Sequence, residues 1–329
     1  MQQIISLQYL RGFAAVAVCI HHFSEAFEYK IHVGAAGVDV FFVISGFVMA
    51  LVTEALVSPV RFVTDRLVRI VPMYWLCTVF LFACVLAKPN LFPMDSSDTS
   101  HFLKSVFFIP HIAPSGTTYP LITQGWTLIY EMFFYAIFAC ALWLSQAHRI
   151  AIATTSIFIL VGIGALLQSD NLFVSTYTSP LMIEFVAGLW LFLAYKRGAM
   201  PSAVLSIVLV VVSLAWFVVA EFVRPDNRAF DFGIPAFLLV TGSLGLEKYI
   251  KIKPLLLEIG DSSYSIYLTH WFSLLFVRLL AQKLGVYGWP VIVASVPSAV
   301  ILGIAAHKLI EAPINRTLKA AFRRKLAVA

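Results

Sequence analysis

LQYLRGFAAVAVCIHHF, residues 7–23, is the stretch on which the fold turns. Between Arg11 and His21 it holds no charge and, Gly12 aside, only apolar side chains. A helix needs about 20 mostly apolar residues to cross the hydrocarbon of a bilayer. Extended to 6–24, the run predicts a transmembrane helix that carries ionisable groups within its length. It does not read as a cleavable signal peptide, because no charged segment precedes it and Arg11 lies inside it.

The remainder of the 329 residues agrees: 60% are hydrophobic and only 12% charged, with a mean hydropathy of +0.90. A soluble domain is roughly 45–50% apolar and about 25% charged. The composition therefore excludes an ordinary cytosolic enzyme, a disordered tail and a disulfide scaffold. Cys19, Cys77, Cys84 and Cys140 sit in apolar runs without C-x-x-C or metal-ligand spacing, so they read as small buried hydrophobes, and no metal is expected. The net charge of +6 reads as the Lys/Arg bias of cytoplasmic membrane loops rather than as a nucleic-acid surface.

Runs of spanning length fall at 6–24, 36–53, 70–87, 126–144, 150–167, 180–195, 202–220, 230–246, 262–280 and 290–310. The eighth is the weakest, interrupted by Pro235, Gly242 and Gly245. The fold class expected is all-α: a polytopic membrane protein of about ten transmembrane helices in a single domain over 1–329. With the N-terminus inside, cytoplasmic connections hold Arg61, Arg66, Arg69, Arg149, Lys196, Arg197, Lys248, Lys251 and Lys253. The C-terminal end adds Lys308, Arg316, Lys319, Arg323, Arg324 and Lys325 as a short basic tail. The outer connections hold Lys30, Lys88, Lys104, Arg224, Arg228 and Lys283, a smaller share, so both termini are expected in the cytoplasm. The long outer connection, from Lys88 to about Gly125, contains Phe102–Ile112, too short to span and read as re-entrant or interfacial.

An ionisable side chain at the bilayer centre costs about 2.5–3.5 kcal/mol on insertion scales, so each one asks for a reason. Arg11 and His22 are eleven residues apart, close to three whole helical turns, which puts them on one face about 16 Å apart along the axis. Arg11 either snorkels to lipid phosphate or serves chemistry, and His22 is either an interfacial residue or a base. Asp39 enters the second helix from the outer side, at a depth similar to that of His22. It is placed either to orient that imidazole or to complement the helix dipole. Arg66 and Arg69, three apart, share a face on the cytoplasmic side. Their planar forks suit phosphate, and positive-inside anchoring is the alternative. Glu131 in the fourth span and His270 in the ninth, with Tyr267 one turn before it, must face protein or water. An interhelical hydrogen bond explains either as well as catalysis does. Glu184 and Arg278 read as structural or interfacial.

Taken in order, LQYLRGFAAVAVCIHHF, GAAGVDVFFVISGFVM, RLVRIVPMYW, WTLIYEMFFYAIF, GDSSYSIYLTHW and the closing IEAP resemble the acyltransferase 3 family, in particular its exopolysaccharide-production branch. The pieces are collinear over about residues 4–313. The resemblance implies a ten-helix domain that uses cytoplasmic acyl-CoA, acetyl-CoA above all, as co-substrate. The implied acceptor is a carbohydrate, free or lipid-linked, modified by O-acylation at the bacterial inner membrane, with polysaccharide-assembly machinery as partner. Matched motif by motif, it places the Arg-x10-His pair on Arg11 and His22, the Arg-x-x-Arg pair on Arg66 and Arg69, and the Trp-Thr-Leu-x-x-Glu carboxylate on Glu131. Some relatives carry a further extracytoplasmic domain; here all the chemistry is expected within the membrane domain. On this reading His22 is the base or a transient acyl carrier, two routes that the sequence leaves open. A rival class is a transporter or flippase of an acyl donor or lipid-linked sugar that performs no chemistry.

Overall fold

The computed structural model describes residues 3–27, 29, 31–55, 58–88, 98–223 and 227–328. Lys30 and Arg224, counted above among the outer charges, lie outside the described residues, as does 89–97 of the long outer connection. In chain order the helices are α1 (Ile5–Glu25), α2 (Gly37–Val52), α3 (Pro59–Ala87), α4 (Thr99–Val106), α5 (Gly125–Cys140), α6 (Gln146–Leu167) and α7 (Leu172–Tyr177). They continue with α8 (Met182–Lys196), α9 (Ala203–Val223), α10 (Ile234–Gly245), α11 (Pro254–Asp261), α12 (Ser263–Leu284), α13 (Trp289–Ala306) and α14 (Ala312–Val328). Among the described residues there is no strand.

A helix lies over each of the ten expected stretches. By length and composition, 7 helical segments can cross a membrane: Val33–Val52, Pro59–Ala87, Gln146–Leu167, Leu172–Lys196, Ala203–Val223, Ser263–Leu284 and Trp289–Arg324. Gly125–Cys140 and Ala229–Gly245 are shorter apolar helices. The chain is an all-helical, multi-pass membrane protein. The stretch that looked weakest is helical because its proline is well placed. A π-turn over Ala229–Gly233 leads into α10, and Pro235 occupies the first turn of that helix, where no intrahelical N–H is lost. α3 starts well before its apolar segment. Ser58 accepts the Arg61 N–H as N-cap and Pro59 opens the first turn, so Arg66 and Arg69 stand on regular helix.

The chain forms two compact units, Met1–Val52 with Ile183–Lys308, and Thr53–Met182 with Leu309–Ala329. In the first, Ala15, Cys19 and Phe23 of α1 pack with Ile266 and Leu274 of α12 and with Ile292 and Ala299 of α13. In the same unit α2 and α8 cross at glycine. A methyl group at Gly46 would press on the carbonyl oxygen of Phe185, and one at Gly188 on that of Val43, well inside van der Waals contact. Close backbone approach through small residues is how membrane helices gain dispersion contacts where lipid offers no hydrophobic drive.

In the second unit α4 and the segment after it fold onto α3. Tyr74 donates its hydroxyl to the Ser105 carbonyl at 3.0 Å, and the Trp75 indole donates to the Val106 carbonyl at 3.0 Å. His111 donates from Nδ1 to the Ile109 carbonyl at 2.7 Å, which leaves its Nε2 to accept from His101 Nδ1 at 2.6 Å. Burial and the neighbouring His111 push the His101 imidazole down from its ordinary 6.5 to about 4. Arg149, read above as a charge of a cytoplasmic connection, has a buried side chain, 1% exposed. It donates to the carbonyls of Leu144 at 2.9 Å and Thr53 at 2.6 Å, so it closes chain ends that would otherwise be unpaired.

Candidate active site

α1 presents His22 in the last turn of the first unit's opening helix, half-buried. Its ring lies parallel to that of His270 on α12, with centroids 5.2 Å apart and planes 6° from parallel. Trp271 lies against it at 5.5 Å and His21 at 5.1 Å. Nδ1 of His22 is buried and makes no hydrogen bond, so aromatic packing holds the ring while leaving that nitrogen unused. His270 is fully buried and donates from Nδ1 to the Tyr267 carbonyl at 2.8 Å. That bond fixes the tautomer: the lone pair of the neutral ring is on Nε2. The structure thus brings His22, His270 and Tyr267 together. Arg11, on the same helix, donates to the Gln8 side chain at 3.3 Å.

Asp39 does something other than expected. Its carboxylate is fully buried at the start of α2 and takes two bonds from Arg228, from Nη2 at 2.7 Å and from Nε at 3.2 Å. Nη2 of Arg228 also donates to the Ala35 carbonyl at 3.1 Å. Glu184 of α8 lies beside the pair, buried. A buried carboxylate must be paired, and a guanidinium 189 residues away in the chain outcompetes an imidazole because it offers two parallel N–H groups and a permanent charge. Asp39 is therefore a buried ion-pair partner and does not orient His22. Arg228, counted above as an outer-loop charge, is the residue that the sequence reading missed.

In the second unit α3 and α5 bring Arg66, Arg69 and Glu131 together. Tyr135, one turn after Glu131 on α5, donates its hydroxyl to the Glu131 carboxylate. The charges of Tyr135, Arg69, Asp65 and Glu131 all act on Arg66, whose guanidinium lies 6.0 Å from the Phe62 ring centroid. Nε of Arg66 is buried and has no hydrogen-bond partner. Such an arginine is suited to an anionic oxygen from outside the protein. Tyr135 was legible in principle, since a spacing of four places it above Glu131 on one helical face.

Among the described residues, His21, His22 and Glu25 form a group that could hold a metal, with ligand atoms all within 4.8 Å of one another. His21 donates from Nδ1 to the Ile31 carbonyl at 2.7 Å, and its Nε2 is 3.6 Å from Glu25. No such trio was expected from the sequence, where Glu25 drew no attention.

The chain matches the acyltransferase domain family over residues 4–308. It is 38% identical over 301 residues to the exopolysaccharide production protein ExoZ of Rhizobium meliloti (strain 1021), spanning 90% of this chain and 94% of that one. To the acyltransferase MdmB of Streptomyces mycarofaciens it is 26% identical over 363 residues, 95% of this chain and 92% of that one. To the O-acetyltransferase OatA of Staphylococcus aureus (strain NCTC 8325 / PS 47) it is 24% identical over 351 residues, 93% of this chain but 56% of OatA. No solved structure matches. A match that runs almost from end to end, over a multi-pass helical chain with its polar groups gathered inside, leads to one conclusion: the protein belongs to the acyltransferase 3 family and is a membrane acyltransferase.

Proposed function

We propose that this protein is an acyl-CoA-dependent O-acyltransferase of the bacterial inner membrane that moves an acetyl group from cytoplasmic acetyl-CoA to a hydroxyl of an extracellular or lipid-linked polysaccharide. The exopolysaccharide role printed in the name of ExoZ supports the acceptor, and the O-acetyltransferase name of OatA supports the bond formed. The proposal includes ten crossings, both termini in the cytoplasm, a single membrane domain, no metal cofactor, and polysaccharide-assembly machinery as partner.

The observation that carries the reading is His22: a packed imidazole on an opening helix whose buried nitrogen no protein group uses. In the reaction the sugar hydroxyl oxygen attacks the thioester carbonyl as His22 takes its proton. The C–S bond breaks as the tetrahedral intermediate collapses, and the departing CoA sulfur recovers the proton from the imidazolium. An imidazole suits both steps because its ordinary pKa of about 6.5 allows it to accept and return a proton near neutrality. His270 and Trp271 hold the ring in place, and Arg11, about three turns away on the same helix face, positions the donor. Arg66 and Arg69 bind donor phosphates in the second unit, with Glu131 and Tyr135 fixing the local field around Arg66.

Purified protein in detergent, given radiolabelled acetyl-CoA and a polysaccharide acceptor, tests the reading. Labelled polysaccharide is the expected product. Uptake of label into proteoliposomes with no acylated product would support a transporter instead.

A further inference from the structure

The C-terminal helix has no part in that account, although it is built into the second unit. α14 packs on α3. It carries Lys319 and Arg323 four residues apart, hence on one face, just as Arg66 and Arg69 share a face of α3. The charges of Arg66, Arg69 and Arg323 act on Lys319, with Asp65 the one carboxylate in the same set. Among the described residues, none of these four cations makes a hydrogen bond or ion pair with a protein group. Four like charges outnumber the two carboxylates near them, Asp65 and Glu131, and none of the four is in hydrogen-bond or ion-pair contact with a protein group, so the cluster forms a receptor for a dense external anion rather than a structural network.

Burial grades along the cluster. Nε of Arg66 is buried, Arg69 and Lys319 are half-buried, and Arg323 is exposed. Coenzyme A has a matching polarity. Its thioester lies at one end, a pyrophosphate in the middle and a ribose 3′-phosphate dianion at the far end. We propose that Lys319 and Arg323 hold the 3′-phosphate of the donor nucleotide while Arg66 and Arg69 take the pyrophosphate, so that α14 selects CoA thioesters over thioesters lacking that phosphate. The inference rests on the acyl-CoA reading above and adds the element that discriminates between donors. A lipid headgroup offers the same phosphate chemistry to a basic helix at a membrane surface, and the experiment separates the two sources.

Full-length protein in nanodiscs is assayed with acetyl-CoA and with acetyl-3′-dephospho-CoA, as wild type and as the double variant Lys319→Gln/Arg323→Gln. The wild type should show an apparent KM for acetyl-CoA at least tenfold below that for the dephospho donor. The variant should lose that preference, its KM for acetyl-CoA rising to the dephospho value while kcat holds. Arg324→Gln, on the same helix but on a different face and exposed, controls for damage to α14 and should keep the wild-type ratio. A variant that retains the preference overturns the assignment. So does a defect equal for both donors that appears with phosphatidylglycerol and vanishes in phosphatidylcholine discs, which would give the helix to lipid. A wild type that uses acetyl-CoA without 3′-phosphate preference sinks this inference alone, whereas failure to use either thioester sinks the donor reading with it.

Discussion

Replacing Arg228 with Met leaves the fully buried Asp39 carboxylate without the two N–H groups that Arg228 gives it, and the Ala35 carbonyl without the N–H that Nη2 donates. Removing one partner of a buried ion pair costs about 3–5 kcal/mol, because the remaining charge stays out of water. The Arg228 side chain is 32% exposed, so water entering its place recovers part of that loss. The lower end, about 3 kcal/mol, is the expected destabilisation, or roughly a hundredfold in the folded-to-unfolded ratio. Adding Asp39→Asn to Arg228→Met removes the stranded charge and should restore more than half of the loss, a coupling that a double-mutant cycle reads directly. Chemical unfolding in detergent, followed by tryptophan fluorescence, gives the four stabilities. Because Asp39 does not touch His22, Asp39→Asn alone should lower stability while leaving the shape of the pH–rate profile unchanged. An Arg228→Met loss below about 1 kcal/mol, or a shifted profile in Asp39→Asn, would refute the reasoning.

Arg149→Met unties two backbone carbonyls in the buried interior of the second unit and should destabilise the protein by about 2–4 kcal/mol in the same unfolding assay. A neutral outcome would mean that water satisfies Leu144 and Thr53 equally well. His101 is depressed in the folded chain, so the unfolded chain binds the extra proton first. The stability it contributes is complete above about pH 6.5 and drains away as pH falls toward about 4, on the order of 3 kcal/mol in all. Proteolysis within 98–119 should therefore rise over that window, and His101→Phe should flatten the rise. On metal, EDTA should leave turnover unchanged. Loss of activity on chelation, restored by zinc and abolished in Glu25→Gln, would move the chemistry onto the His21, His22 and Glu25 trio.

The helical frame could be read from the sequence because spanning a bilayer imposes a length and an apolarity, which 7 helical segments meet. Even the interrupted run at 230–246 proved helical, since Pro235 falls in a first turn, a placement that composition does not reveal. Local pairs were legible too: Arg66 with Arg69, and in principle Glu131 with Tyr135, because helical spacing fixes their neighbourhood. What could not be read was partnership across the chain. Asp39 and Arg228 are far apart in sequence, and a hydrophobicity profile assigns the arginine to a loop without showing that it turns inward. Arg149 is a similar case, since a count of charges along the chain does not show that its side chain is buried. The His22–His270 stack lies between these cases. Both residues were singled out for their polarity, yet nothing in either motif states that the rings lie face to face.

The proposed transfer depends most on His22 as the group that takes the hydroxyl proton. Single-turnover transfer from labelled acetyl-CoA to polysaccharide, measured for wild type and for His22→Ala matched in membrane level and elution profile, tests this most directly. A general base contributes about 10²–10⁴-fold, so the variant should fall by at least a hundredfold with donor binding intact. Transfer within a few-fold of wild type would contradict the account.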